Sequence, residues 1–187
     1  TDKTDKTDKT DKTDKELAAR PNVGHLIDTQ RYELVLSICD QHDHAVVFFN
    51  WKIQREYFME QAKKQKVTAT YIDGSVSASQ RAQRVKDFQA GKYRVIFLQP
   101  QSSAHGLTLT RASVTVWSSP TYLSDYYSQG NNRVYRAGQD KRTLVVNVEA
   151  EKTIDSKVYE KLQGKLDAMD LLTSELKPKP KPKPKKE

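Results

Sequence analysis

One segment combines side chains that could do chemistry at a spacing that would gather them: Gln129-Gly130-Asn131-Asn132-Arg133-Val134-Tyr135-Arg136-Ala137-Gly138-Gln139. On a helix Gln129, Arg133 and Arg136 fall at i, i+4 and i+7, so an amide and two guanidiniums would share one face with no acid between them. Two arginines so placed repel unless an anion joins them. The nearest carboxylate in sequence, Asp140, stands beyond Gly138, where a helix is expected to have ended. Planar guanidinium forks match phosphate oxygens, so the pattern points to a nucleotide or nucleic-acid phosphate.

A second candidate is the polar loop Gln101-Ser102-Ser103-Ala104-His105-Gly106-Leu107, which directly follows an apolar run. Hydroxyls and free backbone N–H groups after a strand can cradle a phosphate, and Gly106 would let the backbone come close. Small polar residues after a strand are also ordinary turn material, so this loop gains its meaning from the arginines. Cys39, His42 and His44 form a C-x₂-H-x-H cluster, but a structural zinc site needs four ligands and no second cluster supplies the remainder, so no metal site is expected. The sequence has no G-x-x-x-x-G-K-[ST] loop, because Gly91-Lys92 is followed by Tyr93 and Gly164-Lys165 by Leu166, and it has no Asp-Glu pair to hold magnesium.

The elements that would position these segments alternate along the chain. Tyr32, Val35, Leu36 and Cys39 recur at helical spacing, and Ala45–Phe49 is a short apolar run of the kind buried on both faces of a parallel sheet. A helix from Lys52 to Lys64 leads to a strand over Val67–Ile72, which ends at the turn Asp73-Gly74. Ser77 and Gln80 read as a capping box opening a helix that faces inward through Val85 and Phe88 and closes at Gly91. Strands follow at Arg94–Leu98, Ser113–Trp117 and Thr143–Val148. The spacing predicts a helix from Pro120 to about Arg136, and a last helix capped by Thr153 whose stripe runs from Ile154 to Leu172. Strands separated by helices imply an α/β fold with a parallel sheet and helices on both faces, with ligands beyond the carboxyl ends of the strands.

Composition bounds the rest. In 187 residues there is room for one domain of ordinary size. Residues 1–15 repeat Thr-Asp-Lys five times with no net charge, and residues 177–186 alternate six lysines with four prolines, so residues 1–20 and 177–187 are expected to be disordered tails around a domain at 21–176. The C-terminal run with Glu187 carries five of the eight net positive charges, leaving a body that is only mildly basic. A single cysteine excludes an intrachain disulfide, and neither a membrane-length apolar run nor a secretory leader is visible, so a cytoplasmic protein with no membrane partner is expected.

In order and spacing, these segments resemble the C-terminal RecA-like lobe of superfamily 2 DNA helicases and translocases. The likeness is to the SWI/SNF-type branch, and particularly to its short bacteriophage and prophage helicases. Ala45–Asn50 looks like motif IV, Ser102–Leu109 like motif V, Trp117-Ser118-Ser119-Pro120 like the strand end before motif VI, and Gln129–Gln139 like motif VI itself. Lys152–Val158 is similar to the family's entry into its closing helix, so the likeness spans about Gly24 to Leu176.

The resemblance implies half of a two-lobe motor, with ATP and Mg2+ bound mainly by an N-terminal lobe and DNA, duplex by expectation, running across both. Arg136 is then the arginine finger and Arg133 its neighbour, Gln129 and Gly106 lie at the shared nucleotide site, and Ser102 and Ser103 meet the DNA backbone. Two positions depart from the pattern, Thr108 where the family usually has Asn and His105 where many members have Gly. Without a P-loop the chain by itself is expected to be inactive. The alternative is a noncatalytic DNA- or protein-binding adaptor that kept the fold.

Overall fold

A computed structural model describes residues 28–104 and 106–176, with the side chains of 103, 104 and 170–176 left aside. The terminal segments read as tails lie outside these residues, as does His105. Five strands, β1 (Ala45–Phe48), β2 (Ala69–Ile72), β3 (Val95–Leu98), β4 (Val114–Trp117) and β5 (Leu144–Asn147), form one parallel sheet in the order β2-β3-β1-β4-β5. Parallel strands need crossovers, and here these are α2 (Lys52–Lys64), α3 (Ala78–Gln89), a 3₁₀ turn (Pro100–Ala104) with its loop, and α4 (Ser124–Asn131); α1 (Gln30–Asp40) precedes the sheet and α5 (Ile154–Leu176) closes it.

The central strands β1, β3 and β4 are buried at every position, which is why they read as unbroken apolar runs. Ala45 and Val47 of β1, with Phe49 just beyond its end, pack with Val35 and Cys39 of α1 and Phe58 of α2. Val46 and Phe48 pack on the other face with Phe88 of α3, Leu107, Leu109 and Val134, with Tyr127 of α4 and Tyr159 of α5 at the margin. The step from β1 to β2 moves toward one edge with α2 on the first face. The steps from β2 to β3, β4 and β5 move the other way over the second face, as a single crossover hand requires. The α5 entry is tied back to α1 by the Arg31–Asp155 ion pair. Among the described residues no helix is long and apolar enough to cross a membrane.

One element differs from the expected one in a way that matters. The helix expected from Pro120 to about Arg136 spans only Ser124–Asn131. At its start, Asn50 Nδ2 donates to the Pro120 carbonyl at 2.8 Å and Thr121 is buried, so these residues belong to the strand-end loop. At its end, the Asn131 side chain accepts from Trp117 Nε1 at 2.9 Å, and Leu109 N takes the Arg133 carbonyl at 2.9 Å. The chain continues in tight turns, with Arg133 N on Gly130 O at 3.2 Å and Val134 N on Asn131 O at 3.1 Å. Arg133 and Arg136 therefore do not share a helix face with Gln129. Ser77 caps α3 as expected, its hydroxyl accepting from Gln80 N at 3.3 Å.

Candidate functional site

The arginine turn is held by its neighbours rather than by its own helix. Gly130 sets α4 directly on the stacked Phe48 and Trp117 rings, whose centroids are 4.1 Å apart, and Val134 is buried in the core beneath the turn. Gly138, at φ +92°, then turns the chain so that Gln139 faces back toward the entry to β4. The Gln139 amide nitrogen is shared among the carbonyls of Thr110 at 2.9 Å, Ala112 at 3.0 Å and Val134 at 3.2 Å, while its oxygen accepts from Lys141 N at 3.0 Å. Gln139 is thus the clasp between the arginine turn and the segment that follows the serine loop. Its place at the end of the quoted segment was visible in the sequence, but the carbonyls it joins were not.

Within this frame Arg136 is exposed and Arg133 partly covered. Arg136 Nη1 donates to the Thr108 hydroxyl at 3.4 Å, and among the described residues no carboxylate forms an ion pair with it. The Arg133 guanidinium is held below its usual pKa, first by partial burial and then by the positive charge of Arg136. It remains cationic all the same. Two close cations, one of them on a neutral hydroxyl, suit an anion with several oxygens. Thr108, one of the two departures from the family pattern, is the side chain the finger candidate touches.

The other expected residues are distributed less simply. Gln129 stands exposed on α4, and Gly106 is exposed at φ +67°, a backbone conformation that calls for glycine there. The 3₁₀ turn after β3 packs along α4, which brings the serine loop to the arginine element. Ser102 itself is 4% exposed, so its hydroxyl is not offered to a ligand in this conformation, whereas Gln101 beside it is exposed. The expectation that site residues follow strands suits this loop but not the arginines, which precede β5. Their turn lies toward the amino ends of the strands, as the bonds from Gln139 to Thr110 and Ala112 show.

The histidine and cysteine cluster divides into separate jobs. Cys39 is buried, which pushes its thiol up to about 12. His42 Nδ1 meets the Ser113 hydroxyl at 3.1 Å, and His44 Nε2 accepts from Arg111 Nε at 2.9 Å. Among the described residues no three His, Cys, Asp or Glu side chains are placed to hold a metal ion.

Residues 30–138 match the model of the helicase conserved C-terminal domain, a span that ends at the glycine of the arginine turn. The chain belongs to the helicase C-terminal domain family. It is 40% identical over 93 residues to the SNF2 domain-containing protein ENL1 of Oryza sativa subsp. japonica, covering 49% of this chain and 9% of that protein. It is 33% identical over 119 residues to the mouse DNA excision repair protein ERCC-6-like, covering 62% of this chain and 10% of that protein. A solved structure, the C-terminal part of the Fun30 ATPase domain, superposes with a TM-score of 0.62 at 17% identity, over 72% of this chain and 43% of that one. These relatives place the domain with the SWI/SNF-type C-terminal lobes of superfamily 2, and the five-stranded parallel sheet is the RecA-like fold of such a lobe. The chain spans about a tenth of the length of these curated relatives.

Proposed function

We propose that this helicase C-terminal domain works as one lobe of an ATP-dependent DNA helicase or translocase, supplying Arg136 and Arg133 to an ATP site shared with an N-terminal lobe. The observation that carries the reading is the exposed Arg136, without a carboxylate partner among the described residues and close enough to Arg133 to lower its pKa. This residue set fits a polyphosphate. ATP with Mg2+, when bound, supplies the phosphoryl group to be transferred. The residues of this chain do the rest of what is proposed: Arg136 spans phosphate oxygens with its fork, Arg133 adds a second charge, and the Gln139 clasp keeps both from being drawn out of place. Gly106 and Gln129, both exposed, are assigned to the same nucleotide site in this reading. DNA enters the proposal through the family and through relatives named for DNA repair and excision repair. With Ser102 buried, contact with the DNA backbone is assigned to the exposed Gln101 and Gly106, and the Ser103 side chain lies outside the described residues. Membership among short phage-type helicases, acting in a bacterial or infected cytoplasm, rests on the sequence segments alone, since the relatives named above are eukaryotic.

The test is phosphate release by this chain in saturating duplex DNA. The expected result is no turnover, because the sequence has no P-loop and no Asp-Glu pair for the metal. Turnover at ordinary enzymatic rates that survives substitution of both Arg133 and Arg136 would refute the shared-site reading.

A further inference from the structure

The two edges of the sheet are finished differently. At the β2 edge Arg84 of α3 donates Nη1 to the Tyr71 carbonyl, and the guanidiniums of Arg84 and of Arg55 on α2 stand 4.6 and 4.8 Å from the Tyr71 ring centroid. Because α2 and α3 lie on opposite faces, these arginines wrap the edge, and a carbonyl that would face a further strand is already taken. The β5 edge has no such cover among the described residues. Leu144 N donates to Ser113 O and Val148 N to Trp117 O, so the even residues bond to β4, and the backbone groups of Thr143, Val145, Asn147 and Glu149 point outward. Among the described residues nothing bonds to those groups. The strand is apolar as well as open. Leu144 is 50% exposed on the face it shares with Val146 and Val148, and Val145 is 42% exposed on the other.

The charges beside β5 indicate what fits it. Lys141 and Arg142 precede the strand, Glu149 and Glu151 follow it, and all four are exposed. The nearest acid to Lys141 is Asp43 at 3.9 Å, an exposed pair too loose to hold it. A segment basic at its start and acidic at its end complements itself when reversed. An antiparallel pair centred on Val145 sets Val145 opposite Val145 of a second copy, Thr143 opposite Asn147, Leu144 opposite Val146 and Lys141 opposite Glu149. The residues that exchange hydrogen bonds in this register are the outward-facing odd ones, as an antiparallel ladder requires. A parallel copy in register would instead set Lys141 against Lys141 and Glu149 against Glu149, which is unfavourable.

We propose that β5 is a docking edge for a second copy of this chain, the two strands pairing antiparallel about a two-fold axis at Val145 and joining two five-stranded sheets into one. The contact is isologous, so it closes at two copies. It is independent of the function proposed above. One strand per copy makes a contact small beside the roughly 1,200–2,000 Å² of a stable interface, so the association is weak and reversible.

Sedimentation equilibrium of the full chain, at concentrations from about 1 μM to about 1 mM, is the test. A monomer–dimer equilibrium is expected. Lys141→Glu and Glu149→Lys each set like charges opposite one another at two places, and each is expected to weaken the dimer about 4- to 30-fold, the swing of two cross-strand charge pairs. An equimolar mixture of these two variants is expected to associate about as tightly as the unsubstituted chain, since each supplies the charges the other lacks. Val145→Lys puts two cations together at the axis and is expected to abolish the dimer with Tm little changed; were it to unfold, the charge variants at exposed positions decide alone. A chain that stays monomeric throughout the range overturns the proposal, and so the edge would be bare or covered by another segment. A dimer that survives Val145→Lys, or single charge variants whose mixture does not recover, places the contact elsewhere and overturns it equally.

Discussion

Replacing Gly130 by alanine should destabilise the domain even though it improves helix propensity. A Cβ built at Gly130 lies 2.8 Å from Phe48 Cζ and 2.9 Å from Trp117 Cζ2, closer than real Cβ contacts come. Both rings are fully buried, and the indole is further pinned by its 2.9 Å bond to Asn131, so neither can step aside cheaply. Overpacking costs about 1–3 kcal/mol, and with neither ring free to move the upper part of that range, about 2–3 kcal/mol, applies, against which the better helix former returns about 1 kcal/mol. The expected net loss is about 1–2 kcal/mol. For a chain of this size that lowers Tm by roughly 2–8 °C, read by circular dichroism, and lowers the urea midpoint with little change in slope. Gly164→Ala on α5 is the matched control, because its Cβ would meet nothing within 4 Å and the substitution should stabilise by about 0.4–1 kcal/mol. If Gly130→Ala melts at or above the temperature of the unsubstituted protein, the close approach of α4 to the Phe48–Trp117 stack is wrong, and the account of how the arginine turn is mounted goes with it.

Gln139→Ala removes the amide shared by three carbonyls and should cost about 1–3 kcal/mol in a denaturant titration, whereas an exposed amide would cost almost nothing; a change within about 0.5 kcal/mol would show the clasp to be incidental. His44 gives a pH signature. Burial first and Arg111 second lower its pKa, and the imidazole accepts from Arg111 Nε, which requires the neutral ring. The unfolded chain therefore takes up a proton at higher pH than the folded one, so the stability due to this neutral ring is present above the ordinary histidine pKa of about 6.5 and is lost as pH falls toward the lowered folded value. His44→Gln, which keeps an acceptor without titrating, should flatten the fall in Tm over that window; an unchanged pH profile would exclude His44 as its source.

The layout of the fold was legible because it depends on local pattern. Four-residue strands buried on both faces leave continuous apolar runs such as Val95–Leu98, and each observed strand falls inside the predicted one with its ends trimmed by one or two residues. The Lys52–Lys64 helix was read to its end residues. What failed was the one element decided by distant partners. Leu109 N draws the Arg133 carbonyl out of the helical ladder, and Asn50 claims the Pro120 carbonyl, and neither bond leaves a trace in the periodicity around residues 120–136. The same applies to the site. Residue types marked the arginines, but whether Ser102 is offered to a ligand or buried, and what Gln139 holds, depends on how the 3₁₀ turn and α4 pack together.

The proposal stands or falls on Arg136 in the context of both lobes. In the isolated lobe Arg136→Ala should leave Tm within about 2 °C, as expected of an exposed side chain whose described partner is one hydroxyl at 3.4 Å. The decisive measurement is steady-state ATP turnover, with DNA saturating, of a protein that joins this lobe to its ATP-binding lobe, comparing Arg136 with Arg136→Ala and Arg136→Lys. Turnover about 10³-fold lower in both variants, with ATP binding affected far less, is the predicted result, since a lysine does not reproduce the fork. Unchanged turnover in Arg136→Ala would contradict the account and pass the role to Arg133.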